Sequence, residues 1–147
     1  MPQFKFRLEA ALKLAERELE KQQRSLAVEL EKLYALQTRL REQEKSWQLA
    51  IEGQKEAGVN APQDLALWQA YTQKQLDHLR VLELQTLEQE RNVMRQRQRL
   101  LEAHQDAEKL KKLREKQRIQ YVLKEQRREQ AVLDELSQVV YGRRNHE

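Results

Sequence analysis

Residues that break helices are confined to a few positions in this chain. Between Pro2 and Gly53, and again between Pro62 and Gly142, there is neither proline nor glycine. Proline inside a helix removes a hydrogen bond and clashes with the preceding turn, and glycine weakens a helix through backbone entropy. Two long segments are therefore free to continue as helices. A sheet fold needs many turns, and three glycines and two prolines in 147 residues do not supply them. With 35% charged residues and a mean hydropathy of -0.99, the chain is polar enough to consider disorder. Disordered segments, however, draw on proline, glycine and serine, whereas this chain draws on Leu, Glu, Lys, Arg and 21 glutamines, all good helix formers.

The window from Gly53 to Pro62 is the one internal loop candidate. Gly58 can supply a left-handed C-terminal cap for a first helix. Asn60, with Gln63 three residues on and Pro62 in the first turn, resembles the N-terminal cap of a second. The chain is expected to be one domain over 1–147, with a helix at 4–56, a loop at 57–61 and a helix at 62–141.

Leucine stands at 12, 19, 26, 33 and 40, and Trp47 continues the series, a seven-residue repeat that implies a left-handed coiled coil. Leu8, Ala15, Leu30, Leu36 and Ile51 widen the seam, and Gln22, Glu29 and Gln43 interrupt it. If the chain turns at Val59 and Asn60, facing residue numbers add to about 119. The seam then meets Ala107, Leu100, Val93, Thr86, Leu79 and Thr72, itself a seven-residue series. The fold predicted is all-α: a two-helix antiparallel coiled-coil hairpin whose longer C-terminal helix overhangs it. At 1.5 Å per residue the helices would be roughly 80 and 115 Å long.

In this register Phe4 lies opposite Glu115, and Phe4 and Phe6 are expected to staple against Leu110 and Leu113. Everything after about Lys116 would then extend beyond the hairpin, carrying an apolar stripe of Ile119, Val122, Leu133, Leu136 and Val140. Lys109 to Arg128 holds nine basic residues against Glu115 and Glu125 alone, so the overhang is also basic. Trp47, Ile51, Trp68 and Tyr71 would collect near the hairpin tip, either as packing or as a recognition surface.

Nothing in the sequence points to catalysis. A two-helix rod offers no sheltered concavity, and His78, His104 and His146 have no metal-ligand spacing. There is no phosphate-binding glycine loop, and the absence of cysteine excludes disulfides and thiolate metal sites. No catalytic residue, cofactor or metal is assigned, and no enzyme activity is expected. No apolar run approaches the roughly 20 residues of a membrane helix, and residues 1–25 lack a signal-peptide core. A cytoplasmic protein is expected. The basic stretch could neutralise phosphates, but it lacks aromatic interleaving and a base-reading pattern, which leaves nucleic acid the weakest reading.

Both ends of the chain carry a recognisable pattern. Phe4-Lys5-Phe6-Arg7-Leu8-Glu9, followed by Leu12, Leu14, Glu16 and Arg17, resembles the opening of the FliJ family of flagellar type III export proteins. Glu108-Lys109-Leu110 with Leu113, then Tyr121, Glu129-Gln130 and Leu133-Asp134-Glu135-Leu136, resembles that family's closing pattern. The resemblance implies a stalk similar to the gamma subunit of rotary ATPases, seated in the hexameric export ATPase FliI. It further implies binding to the export gate FlhA, and contact with the ATPase regulator FliH and with export chaperones. The protein would then sit at the cytoplasmic face of the flagellar basal body.

On these grounds the expected ring interface is Arg118, Ile119, Val122, Arg127, Arg128, Leu133, Leu136 and Val140, and the expected gate interface is Trp47, Ile51, Trp68 and Tyr71. Three alternatives stay open: an adaptor or escort chaperone for secretion substrates, the equivalent stalk of a virulence type III system, and nucleic-acid binding through Lys109 to Arg128.

Overall fold

The structure is a computed structural model that describes residues 3–146, with side chains to residue 144. It is all-α: α1 spans Glu9–Asn60, a 3₁₀ turn spans Pro62–Asp64, and α2 spans Leu65–His146. The helices pair antiparallel in two compact units, Met1–Leu19 with Ala103–Glu147, and Glu20–Glu102.

In the Glu20–Glu102 unit the buried apolar residues are Leu33, Ala50, Ala57, Leu79 and Val93. Thr86, Gln89 and Gln96 are buried with them. The residues that interrupt the leucine seam form polar layers across the helix pair. Gln96 Nε2 donates to Gln22 Oε1 at 2.5 Å and to the Gln22 carbonyl at 3.3 Å. One heptad on, Gln89 Nε2 donates to Glu29 Oε2 at 2.6 Å and to the Glu29 carbonyl at 2.9 Å. Two heptads further, Gln43 Nε2 donates to Gln75 Oε1 at 2.8 Å and to the Gln75 carbonyl at 2.9 Å. These three pairs match the predicted register to within one residue. Thr86 closes its hydroxyl onto its own helix, at 2.7 Å from the Leu82 carbonyl. Among the described residues no buried side-chain nitrogen or oxygen lacks a partner, as a buried polar layer requires.

The turn differs from the predicted loop at 57–61. α1 continues through Gly58 to Asn60, and no described residue has a positive φ, so Gly58 is not a left-handed cap and Asn60 is not an N-cap. Pro62 makes the turn instead. Its ring disfavours the helical region for the residue before it, and Ala61 accordingly sits at φ -143°, ψ 64°, as an N-cap without a side-chain bond. Ala61 N–H still closes α1 onto the Ala57 carbonyl, and Asp64 N–H bonds the Ala61 carbonyl, both at 2.9 Å. One non-helical residue is enough.

The N-terminal end also departs from expectation, because helix begins at Glu9 and not at residue 4. Residues 3–6 are non-helical, and a turn at residues 7–8, closed by Glu9 N–H on the Phe6 carbonyl at 3.2 Å, leads into α1; a helix would instead separate the Phe4 and Phe6 side chains by about 200°. Phe6 is buried, and the Phe4 ring lies 5.6 Å from that of Tyr121. The Phe4 ring thus reaches Tyr121, beyond its predicted place opposite Glu115. Leu12, Ala103 and Ala107 are buried in the same unit, and Glu9 meets Arg114 at 3.5 Å across an exposed ion pair. Pro2 lies outside the described residues.

The Glu29 layer should make stability depend on pH. The Gln89 amide bond holds the Glu29 carboxyl below its ordinary value of 4.5, with Lys32 assisting and partial desolvation opposing. A depressed carboxylate contributes stability that is present above the unfolded value and is lost as pH falls through the folded one. Glu29→Gln keeps an acceptor for Gln89 but cannot ionise. Urea unfolding should show the wild-type chain to be more stable than the variant at pH 7, with the difference vanishing once pH falls below the depressed Glu29 value. A difference independent of pH would remove Glu29 ionisation from the fold's energetics.

Candidate functional site

Two surfaces were expected, and one falls in each unit. At the turn of the Glu20–Glu102 unit, the Trp68 and Tyr71 rings meet edge to face with centroids 6.0 Å apart. Trp68 packs directly on Gly53 of α1: a Cβ on Gly53 would come within 2.6 Å of Trp68 Cη2 and 2.9 Å of Cε3. Gly53 is helical, as the predicted helix over 4–56 has it, and it serves to admit an indole. Thr72 Oγ1 donates to the Ala50 carbonyl at 3.2 Å and ties the same turn of α2 to α1.

Trp47 and Ile51 are half-buried. Among the described residues no ring contact joins Trp47 to the other two aromatics, so the expected cluster is a pair with Trp47 apart. The reason is axial distance, since Trp47 stands six residues, about 9 Å, before the glycine that holds Trp68. Leu67, absent from the predicted set, is 73% exposed beside Tyr71 at 48%. With Asp64 and Trp68 these two line an open groove.

The second surface is the C-terminal part of α2. Phe4 packs on Tyr121, so pairing reaches past Lys116, although Ile119 on the same stretch is exposed. From Val122 to Tyr141 every residue but Glu125 is exposed. Ile119, Val122, Leu133, Leu136 and Val140 are between 39% and 57% exposed. Leu123, Val132, Val139 and Tyr141 share this exposure and broaden the stripe. Their signal was legible as Val132-Leu133 and Val139-Val140, two adjacent apolar pairs one heptad apart. Leu133, Leu136, Ser137, Val140, Tyr141 and Arg144 line a shallow groove on this face.

The basic flank is partly self-paired. Arg118 grips Glu115 through two bonds of 2.7 and 3.1 Å, which holds the Glu115 carboxyl below its usual range and raises the guanidinium. Arg128 lies 3.6 Å from Glu125, one turn away. Such exposed pairs are worth about 0–1 kcal/mol, so both arginines remain available to a partner. Among the described residues no group of His, Asp and Glu could hold a metal ion, and no helix is long and apolar enough to cross a membrane.

A helix pair registered by polar layers, whose second helix leaves an apolar stripe uncovered, defines a coiled-coil interaction protein. The family described as Flagellar FliJ protein matches residues 4–146. The chain belongs to the FliJ family and is a flagellar-type export component, in a family of non-enzymatic structural or chaperone-like proteins. No curated protein and no solved structure matches the chain.

The glycine that receives Trp68 can be tested against one that receives nothing. Replacing either glycine with alanine improves helix propensity by about 1 kcal/mol. At Gly58 the nearest atom to the new Cβ is Leu65 Cδ1, 3.9 Å away, so Gly58→Ala should raise the melting temperature. At Gly53 overpacking costs about 1–3 kcal/mol, so Gly53→Ala should lower it and shift tryptophan emission. Equal stabilisation by both would show that Trp68 is not seated on Gly53.

Proposed function

We propose that this protein is the stalk that couples the export ATPase ring to the export gate. The observation that carries the reading is the exposed stripe from Ile119 to Val140 on a continuous helix. Apolar surface repeated on one helical face is normally covered by another protein, and the sleeve of a hexameric ATPase such as FliI is a partner of suitable shape. The stripe would supply most of the affinity. Arg118, Arg127 and Arg128 would steer association and contact the rim.

The decisive assay is ATP hydrolysis by the cognate ring ATPase with and without this protein. Because Phe4 packs on Tyr121, truncation should follow Lys124, which leaves that contact intact. The truncated chain should keep its helical pairing and lose stimulation of the ATPase, and Leu133→Glu with Leu136→Glu should approach the same loss. Stimulation at full-length potency by the truncated chain would reject ring insertion and favour an adaptor or escort chaperone.

We assign gate binding to the turn of the Glu20–Glu102 unit, through Tyr71 and Leu67 with Trp68 as their support. Tyr71 is half exposed and stands against an indole that is itself seated, an arrangement suited to an interface hot spot. Tyr71→Ala should weaken binding to the FlhA cytoplasmic domain by about 2 kcal/mol or more, with little change in melting temperature. Trp68→Ala should lower both. Calorimetry separates these effects, and gate affinity unchanged by Tyr71→Ala would move the gate contact elsewhere. Contact with the regulator FliH and with chaperones belongs to the same proposal, as does a location at the cytoplasmic face of the basal body.

A further inference from the structure

The outward face of α2 within the Glu20–Glu102 unit carries a second apolar stripe that the stalk reading does not use. Leu84, Leu87, Met94 and Leu101 are 68%, 46%, 69% and 47% exposed. With Arg91 and Gln98 they follow one another at alternating steps of three and four residues, the spacing of a coiled-coil seam. This seam points away from the buried one, which runs through Leu79, Thr86, Gln89, Val93 and Gln96.

Charge along the same segment is divided in two. Residues 83–90 contain Glu83, Glu88 and Glu90 and no basic residue, while residues 91–99 contain Arg91, Arg95, Arg97 and Arg99 and no acidic one. Glu88 and Arg95 border the stripe on one side, and Glu90 and Arg97 on the other, as the helical spacing requires. None of these four makes an ion pair among the described residues. Arg91, Arg95 and Arg99 repel one another at four-residue spacing.

We propose that this face pairs with a second copy of the chain, antiparallel, about a two-fold axis between Asn92 and Val93. In that arrangement Leu84 of one copy meets Leu101 of the other, Leu87 meets Gln98, and the Arg91 stem lies along Met94. On the flanks Glu90 meets Arg97 and Glu88 meets Arg95, and two-fold symmetry makes each pair occur twice. Sliding by one heptad in one direction sets Arg95 and Arg97 against their own copies, and in the other direction Glu88 and Glu90. Parallel pairing places Arg91 against Arg91 in the seam and Glu83 beside Glu88. Of these arrangements only the first is charge-matched, and that self-complementarity identifies the occupant as this chain and not an arbitrary apolar partner. With Arg91 and Gln98, a third of its seam, polar, the dimer is weak and sensitive to salt.

The full chain can be tested by sedimentation equilibrium over about 5–500 μM. The wild type should show a monomer–dimer equilibrium, weaker at about 500 mM than at about 50 mM salt. Glu88→Arg with Glu90→Arg, and separately Arg95→Glu with Arg97→Glu, should each raise the dissociation constant at least about tenfold. Mixing the two variants should restore a heterodimer, because the reversed charges then face opposite charges again. That recovery also shows that both variants are folded. ATPase stimulation through the C-terminal stripe should be unchanged, so this proposal and the stalk reading fail separately. A wild-type monomer throughout the range would overturn the pairing and leave the face to a different partner. Charge-swapped variants that dimerise as well alone as mixed would also overturn it.

Discussion

In the Glu20–Glu102 unit, alignment of the two helices rests on an amide that bonds twice. Gln89 and Gln96 each direct one Nε2 at both a side-chain oxygen and a main-chain carbonyl of α1, and Gln43 does the same to α2. An apolar layer tolerates sliding, because leucine packs against leucine in several registers. A buried amide does not: a slip of one heptad would set Gln43 against Trp68 in one direction and Leu82 in the other, and would take the partner from Gln96 or Gln89 as well. Each unsatisfied buried group would cost about 1–3 kcal/mol. Leu36 and Leu82 occupy the heptad where the polar series is interrupted, so the order of polar and apolar layers is itself asymmetric. Polar layers give up some stability to specify one alignment, the best-attested use of such groups in coiled coils.

The turn follows from the same economy. Pro62 forces Ala61 out of the helical region, and a 3₁₀ turn then delivers the chain to α2. Trp68 lies three residues into α2 and lands on Gly53, the one position on that stretch of α1 without a side chain to exclude it. The aromatic pair at the turn thereby acquires a firm base while Tyr71 and Leu67 remain open. An immobile aromatic on a short turn binds with little loss of conformational entropy, which is why this part of the unit is assigned to recognition.

In the unit that holds both termini, the amount of α2 left uncovered depends on Phe4 and Phe6. Had those residues continued α1 as helix, coverage would end near Glu115. As a non-helical segment they carry the pairing to Tyr121, and from Val122 onward the stripe is uncovered. The ion pairs around that boundary, Glu9 with Arg114 and Glu115 with Arg118, are exposed and weak. Packing of the aromatic rings sets the limit, and the charges add solubility and steering.

Much of this was legible in the residues. The long stretches free of proline and glycine, the leucines from Leu12 to Leu40 and the matching series from Thr72 to Ala107 specify two helices, one turn and their register. Those are consequences of local propensity and of a period that any window of the chain displays. The stripe from Ile119 to Val140 was readable for the same reason. Gln22, Glu29 and Gln43 looked like defects, because a polar residue on a seam has no meaning until its partner across the seam is known. Gly53 looked like a breaker, because the indole that needs its space comes from the other helix. Asn60 resembled a cap, yet closure of the last turn of α1 and the proline after Ala61 kept it helical. Phe4 and Phe6 read as helix by propensity, and only tertiary packing, with Phe6 buried and Phe4 on Tyr121, showed them outside it. Periodicity is written within one segment, and tertiary structure decided every feature that depends on what the other segment brings to the same place.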